Sequence, residues 1–286
     1  MASVRSLPKG ETVNFNRTRG RKLEMAVLCA GLVVMVMLPA TLSAQTADKK
    51  EIVKQARQSY YSLKDEGLAE FHCTMEPNWD SLLADLKKTD PEAAARGVQK
   101  LNQLRFSVTV TPGSDAKVTH NELSAENAQV AEGLKQVYGG MEQMTVGFFQ
   151  TWTMFVMTPS LPQVESDYQL DDLGTQHRLT YKDGTADVTT TMGKDLVISE
   201  LKVNTAEFKS TLWPQFTKTT KGFLLSGYQA TYLGATAAET TELKVDIAYQ
   251  LADGLQVPKK LNIKGSYGGS PFDVEVAFTD CHATRQ

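Results

Sequence analysis

The sequence predicts an α+β protein: an antiparallel β-meander with helices packed against it. Three observations carry this. From about residue 165 apolar and polar residues alternate at period two, punctuated by short turns. Residues 78–160 are mainly of helical period. Within them Met141–Met157, MEQMTVGFFQTWTMFVM, is apolar on nearly every side, as suits a helix laid over a sheet. The composition is ordinary for a globular chain: 286 residues, 41% hydrophobic and 22% charged. That excludes collagen, coiled coil and disorder over the whole length. A single long apolar run, near the N-terminus, excludes a polytopic membrane protein. Four histidines and three cysteines exclude a multi-zinc architecture.

Residues 1–24 carry Arg5, Lys9, Arg17, Arg19, Arg21 and Lys22 against Glu11 and Glu24. The apolar run Met25–Leu38 follows, then Pro39 and the small-residue stretch 40–44. Basic, apolar, small is the layout of a secretory signal peptide, and 14 apolar residues fall short of the roughly 20 of a membrane span. The reading is a signal peptide over 1–44, cleaved after Ala44, and a periplasmic or secreted domain over 45–286. An uncleaved inner-membrane signal anchor is the alternative, kept open by the long basic leader. Cys29 lies inside the apolar run after the bulky Leu28, which argues against lipidation. Losing residues 1–44 removes six basic and two acidic residues and leaves 24 against 31, net −7. An acidic exported domain without a basic cluster is not expected to bind nucleic acid.

Export places Cys73 and Cys281 in an oxidising compartment, where two cysteines most often pair. The disulfide would join the first strand to the last. Cys73 shares the apolar face of its strand with Ala69, Phe71 and Met75, whereas Cys281 has the opposite parity to Phe272, Val274, Val276 and Phe278. The pairing therefore requires the last strand to end or bulge near Asp280. The adjacent His72 and His282 suggest a Cys₂His₂ zinc site, but neighbouring residues on a strand point to opposite faces. No metal and no cofactor are expected.

In chain order, Asp48 with Glu51 resembles a capping box, followed by Ile52, Ala56, Tyr60 and Leu63 at helical spacing, with Gly67 as the stop. Residues 68–76 alternate as a strand. Leu82, Leu83 and Leu86 form a short helical stripe, and Asp90-Pro91 opens a helix through Ala94, Val98 and Leu101. Arg105–Thr111 and Lys117–His120 read as short strands. A helix from Ser124 to about Tyr138 is expected to break at Gly139-Gly140, and a second, Met141–Met157, to end at Thr158-Pro159. The meander over 165–281 contains about eight strands, around Tyr168–Leu170, Leu179–Tyr181, Val188–Met192, Leu196–Val203, Phe223–Leu233, Leu243–Leu251, Val257–Tyr267 and Phe272–Phe278. Its turns are Asp183-Gly184, Gly193–Asp195, Asp253-Gly254 and Gly268-Gly269. Leu243, Val245, Ile247, Tyr249 and Leu251 form one inward face. No linker divides 45–286, which reads as one domain.

Several stretches together resemble a known family. They are QHRLTYKDG (176–184), LVISELKV (196–203), KGFLLSGY (221–228), VDIAYQ (245–250), GLQVP (254–258) and FTDC (278–281). With the N-terminal helix and first strand, they are similar to the Lol-type periplasmic lipoprotein-carrier superfamily over about 46–76 and 165–281. The resemblance implies an exported, curved antiparallel β-sheet, an unclosed half-barrel, with helices covering its concave face and acyl chains held between. Residues 78–160 depart from it in being mainly helical, and none of the family's binding residues maps onto this chain.

The residues themselves suggest the same site. Met141, Met144, Phe148, Trp152 and Phe155 recur at helical spacing and are the candidate ligand-binding lid, methionine being soft enough for irregular apolar ligands. The competing reading is a filled core helix without ligand. Phe223 with Leu225, or Leu224 with Tyr228, would line the sheet side. The expected function is a binding protein that holds a lipid, acyl chain or other hydrophobic molecule in an apolar cavity of roughly several hundred Å³ between helix and sheet, with a lipidated protein or an envelope or membrane component as partner. The alternative is an envelope scaffold of the same fold, without ligand. The sequence has no G-x-S-x-G, P-loop, H-E-x-x-H or G-x-G-x-x-G. His177 reads as an exposed strand residue, and no catalytic residue is expected.

Overall fold

The computed structural model describes residues 41–206, 208–234 and 240–286. The expected signal segment lies outside the described residues except for 41–44, which open helix α1 (Thr41–Gln58). Strand β1 (Leu68–Pro77) follows, then three short helices, α2 (Trp79–Leu82), α3 (Ala84–Thr89) and α4 (Pro91–Leu101). Strands β2 (Phe106–Val110) and β3 (Lys117–His120) lead to the long helix α5 (Ala128–Val156). The meander is β4 (Tyr168–Asp172), β5 (Gln176–Asp183), β6 (Ala186–Gly193), β7 (Ile198–Asn204), β8 (Lys209–Thr219), β9 (Gly222–Leu233), β10 (Thr241–Ala252), β11 (Leu255–Tyr267) and β12 (Ser270–Arg285).

All twelve strands form one curved, unclosed antiparallel sheet in the order β3-β2-β1-β12-β11-β10-β9-β8-β7-β6-β5-β4. The meander runs consecutively, and its last strand pairs with the first strand of the chain, Leu68 opposite Arg285 and Pro77 opposite Val276. The chain must therefore pass from one edge strand, β3, to the other, β4. Twelve strands spaced about 4.8 Å apart span about 53 Å along the sheet. A helix of 29 residues is about 43 Å long. One straight helix can thus bridge the concave side of the bowed sheet like a chord.

That geometry explains the first departure from the sequence reading. Helix α5 is continuous through Gly139-Gly140, and it starts not at Ser124 but after Asn127, whose side chain accepts from the Val130 N–H at 2.9 Å. Both glycines are exposed, and no atom outside the helix stands where their side chains would be. Their intrinsic cost is overridden by the anchoring of the helix beyond them.

Helix α1 begins before the expected cap at Asp48 and ends earlier than expected, at Gln58. Residues 59–61 instead run beside β9: Phe223 donates to the Ser59 carbonyl at 2.8 Å and Tyr61 donates to the Phe223 carbonyl at 3.0 Å. Gly222 (φ +111°) allows this approach, since a Cβ there would stand 2.6 Å from the Ser59 oxygen. Residues 62–64 then close the C-terminal end of α5. Leu63 and Lys64 donate to the carbonyls of Val156 and Met157, and the Ser62 hydroxyl also donates to Met157. The bare carbonyls at that helix end are thereby satisfied. The Asp90 cap is as expected, accepting from Ala93 at 2.9 Å with Pro91 at the first helical position.

Strand β8 was not foreseen. Pro214 in its middle argues against a central strand. It is accommodated because the described pairing with β7 ends at Leu212, while β9 pairs along the whole length of β8. Leu251, expected inside, is 67% exposed. Beyond a bulge at Lys259 the β10–β11 hairpin tip buries its other face, with Ala252, Leu255 and Val257 in the core. The tip itself turns through Asp253 and Gly254, both at positive φ (48° and 80°), as a type I′ hairpin requires.

Cys73 and Cys281 form a disulfide across 208 residues. The expected irregularity is present: pairing shifts between His72–His282 and Thr74–Thr279, and Asp280 sits at φ +47°. This bulge turns Cys281 towards Cys73. Among the described residues no helix is long and apolar enough to cross a membrane.

Candidate functional site between α5 and the sheet

Helix α5 lies over the larger of two apolar clusters, and α1 over the smaller. The five candidate residues all belong to the first. Met141, Phe148, Trp152 and Phe155 are buried, and Met144 is half-buried against them. The helix therefore turns its Met/aromatic stripe to the concave face, as its periodicity implied.

The space below the stripe is occupied by the protein's own side chains. The Phe149 ring packs against Phe71 of β1 at 5.9 Å, Trp152 at 5.6 Å and Phe278 of β12 at 5.8 Å. Phe155 meets Phe216 of β8 at 6.1 Å. Phe149 was not among the candidates, yet it packs on both the first strand and the last. Its place next to Phe148 hid it, because only one of two adjacent residues fits a simple stripe.

Polar contacts join the helix to the sheet within this apolar setting. Trp152 donates its indole N–H to the Tyr249 hydroxyl at 2.9 Å, and Tyr249 donates to the Leu225 carbonyl at 2.6 Å. The hydroxyls of Thr151 and Tyr232 lie 2.9 Å apart. Burial pushes the phenols of Tyr249 and Tyr228 well above their ordinary range, so both are neutral. At the far end of α5, Tyr138 stacks on His120 with ring centres 4.1 Å apart.

On the sheet side the choice between Phe223/Leu225 and Leu224/Tyr228 resolves into parts of both. A bulge at Ser226, seen as a register shift opposite Gln215–Phe216, reverses the parity of β9. Tyr228 opposes Pro214 before it and Leu225 opposes Phe216 after it, both fully buried, and Phe223 packs on Tyr60 at 5.7 Å. Leu224 is buried too.

Two depressions open elsewhere. One, of about 330 Å³, lies between α2 and α4 and is lined by Leu83, Pro91, Ala94 and Val98. The other, of about 610 Å³, is a shallow basin on the sheet around Trp213, Gln229, Lys244 and Lys264. Neither lies between α5 and the sheet.

The four histidines stand apart from this region or in different roles. His177, expected to be exposed, is only 6% accessible. Across the ladder it opposes the exposed Asp172 of β4 and the buried Met192 of β6. Among the described residues its Nδ1 finds no hydrogen-bond partner, and its Nε2 lies 3.5 Å from the Lys194 ammonium, which is held by Asp172 at 2.7 Å. Burial first, then Lys194, lowers its pKa. His72 and His282 are exposed on the outer face, while Cys73 is buried on the other. Among the described residues no three His, Cys, Asp or Glu side chains are gathered as a metal site.

Comparison with family models, with curated proteins and with solved structures found no match to the chain.

Proposed function

We propose that this chain is an exported binding protein of the lipoprotein-carrier kind, which takes a lipid, acyl chain or other hydrophobic molecule between α5 and the concave face of the sheet. The described form is then its closed state, in which α5 fills its own site. The single observation that carries the reading is that helices, chiefly the apolar α5 over the larger cluster, rather than a second sheet or barrel closure, cover an unclosed sheet. Displacing α5 would uncover the larger cluster of the concave face, and the covering side chains Met141 and Met144 suit an irregular apolar ligand. The Cys73–Cys281 disulfide fits an oxidising compartment. In this reading residues 1–44 are a cleaved export signal, and N-terminal sequencing of the mature protein returns Gln45.

The test is mass spectrometry of an organic extract of the natively purified protein, followed by titration of the delipidated protein with a fluorescent acyl probe. Co-purifying lipid, or saturable probe uptake competed by fatty acid, supports the proposal. Neither extractable lipid nor uptake ends it.

A second reading, an envelope scaffold without ligand, is favoured by the aromatic filling under α5 around Phe149. Pull-down from envelope fractions before and after delipidation separates the two. A partner retained without lipid indicates the scaffold.

A further inference from the structure

We propose that His72 and His282 form a two-imidazole binding site for a divalent transition-metal ion of the copper–nickel–zinc group, on the outer face of the seam between β1 and β12. This inference is independent of the hydrophobic site.

The two histidines are direct partners across the antiparallel ladder, and both are exposed. Directly opposed residues on one face carry Cβ atoms about 4.5–5.5 Å apart. Two imidazoles at that spacing can converge on one ion at about 2.0–2.1 Å from each nitrogen. The facing depends on register alone: a slip of one residue on either strand would turn one ring to the opposite side.

The register is fixed by the residues immediately beside the pair. Cys73 and Cys281 are covalently joined, with Cα atoms 4.2 Å apart, so both strands are held together one residue from the histidines. Most of the entropy of bringing the two rings together is therefore lost on folding rather than on binding.

A carboxylate lies beside one ring. Asp253, from the β10–β11 turn, accepts from the Ala283 N–H at 2.8 Å, which places its Oδ2 4.0 Å from His282 Nδ1. At that distance the acid makes no hydrogen bond to the ring, but it adds a negative charge beside the pair that favours a bound cation. Glu70 lies on the same outer face two residues before His72, opposite Thr284, and accepts from the Thr111 hydroxyl. With two protein nitrogens, the remaining coordination positions fall to water. Imidazole ligands select copper(II), nickel(II) and zinc(II) over magnesium or calcium, and the affinity order places copper first.

The experiment is isothermal titration of the purified protein with Cu(II), Ni(II), Zn(II) and Ca(II), with thermal unfolding as a second readout. One Cu(II) per chain is expected, bound more tightly than Ni(II) or Zn(II), with no Ca(II) uptake. Affinity should fall at least tenfold in His72→Ala and in His282→Ala and stay within twofold in His120→Ala. Saturating Cu(II) should raise the unfolding temperature of the parent protein but not of His72→Ala, because a bridge between strands stabilises only the folded state. Both substitutions are on the surface, and circular dichroism checks that each variant folds. Binding that survives in the double variant His72→Ala/His282→Ala, loss of less than tenfold in either single variant, or no Cu(II) binding overturns the proposal.

Discussion

Trp152 on α5 donates its indole N–H to the hydroxyl of Tyr249 on β10, at 2.9 Å, inside the largest apolar cluster of the protein. The same hydroxyl donates onward to the Leu225 carbonyl. Tyr249→Phe removes one oxygen and strands two buried polar groups, a loss of roughly 1–3 kcal/mol. Urea unfolding of the variant measures it. If α5 is a displaceable cover, the variant also takes up an acyl probe more readily than the parent. Unchanged stability would show that water or another partner replaces the hydroxyl.

The Cys73–Cys281 bond closes almost the whole described chain into one loop. Reduction, or Cys281→Ser, is expected to cost roughly 2–5 kcal/mol, chiefly by freeing the unfolded chain. Denaturant titration with and without a thiol reductant reads this directly.

Glycines at two places should respond in opposite directions. At Gly222 a methyl group would meet the backbone of residues 59–61 within 3 Å, at a positive φ besides. Gly222→Ala should cost roughly 2–4 kcal/mol, among the larger single-site effects. At Gly139 and Gly140 nothing stands in the way, and helix propensity alone predicts a gain of about 0.5–1 kcal/mol for each change to alanine. Thermal melts of the three variants measure both effects.

His177 gives the protein a pH dependence of definite sign. Burial, then Lys194, holds its folded-state pKa below the ordinary value. As pH falls below about 6.5, the unfolded chain takes up a proton before the folded chain does. The stability contributed by the neutral imidazole is complete above that pH and is lost as pH falls towards the folded-state value. His177→Met should flatten this part of the curve. Identical stability changes between pH 7.5 and 5.5 in parent and variant would refute the assignment.

Much of this architecture is written locally. Period-two alternation marks most of the strands from Tyr168 to Phe278, all but β8, because side-chain direction alternates along any extended backbone. The parity of Cys73 against Cys281 even requires the bulge found at Asp280. What the tertiary structure decided depends on neighbours remote in sequence. Gly139-Gly140 stay helical because α5 must join opposite edges of one sheet. Pro214 sits within a strand because β7 parts from β8 before reaching it. Leu251 is exposed because its hairpin tip buries the other face. The filling of the concave side by Phe149, and the meeting of His72 with His282, follow from which strands become adjacent and in what register. Local periodicity carries no information about either.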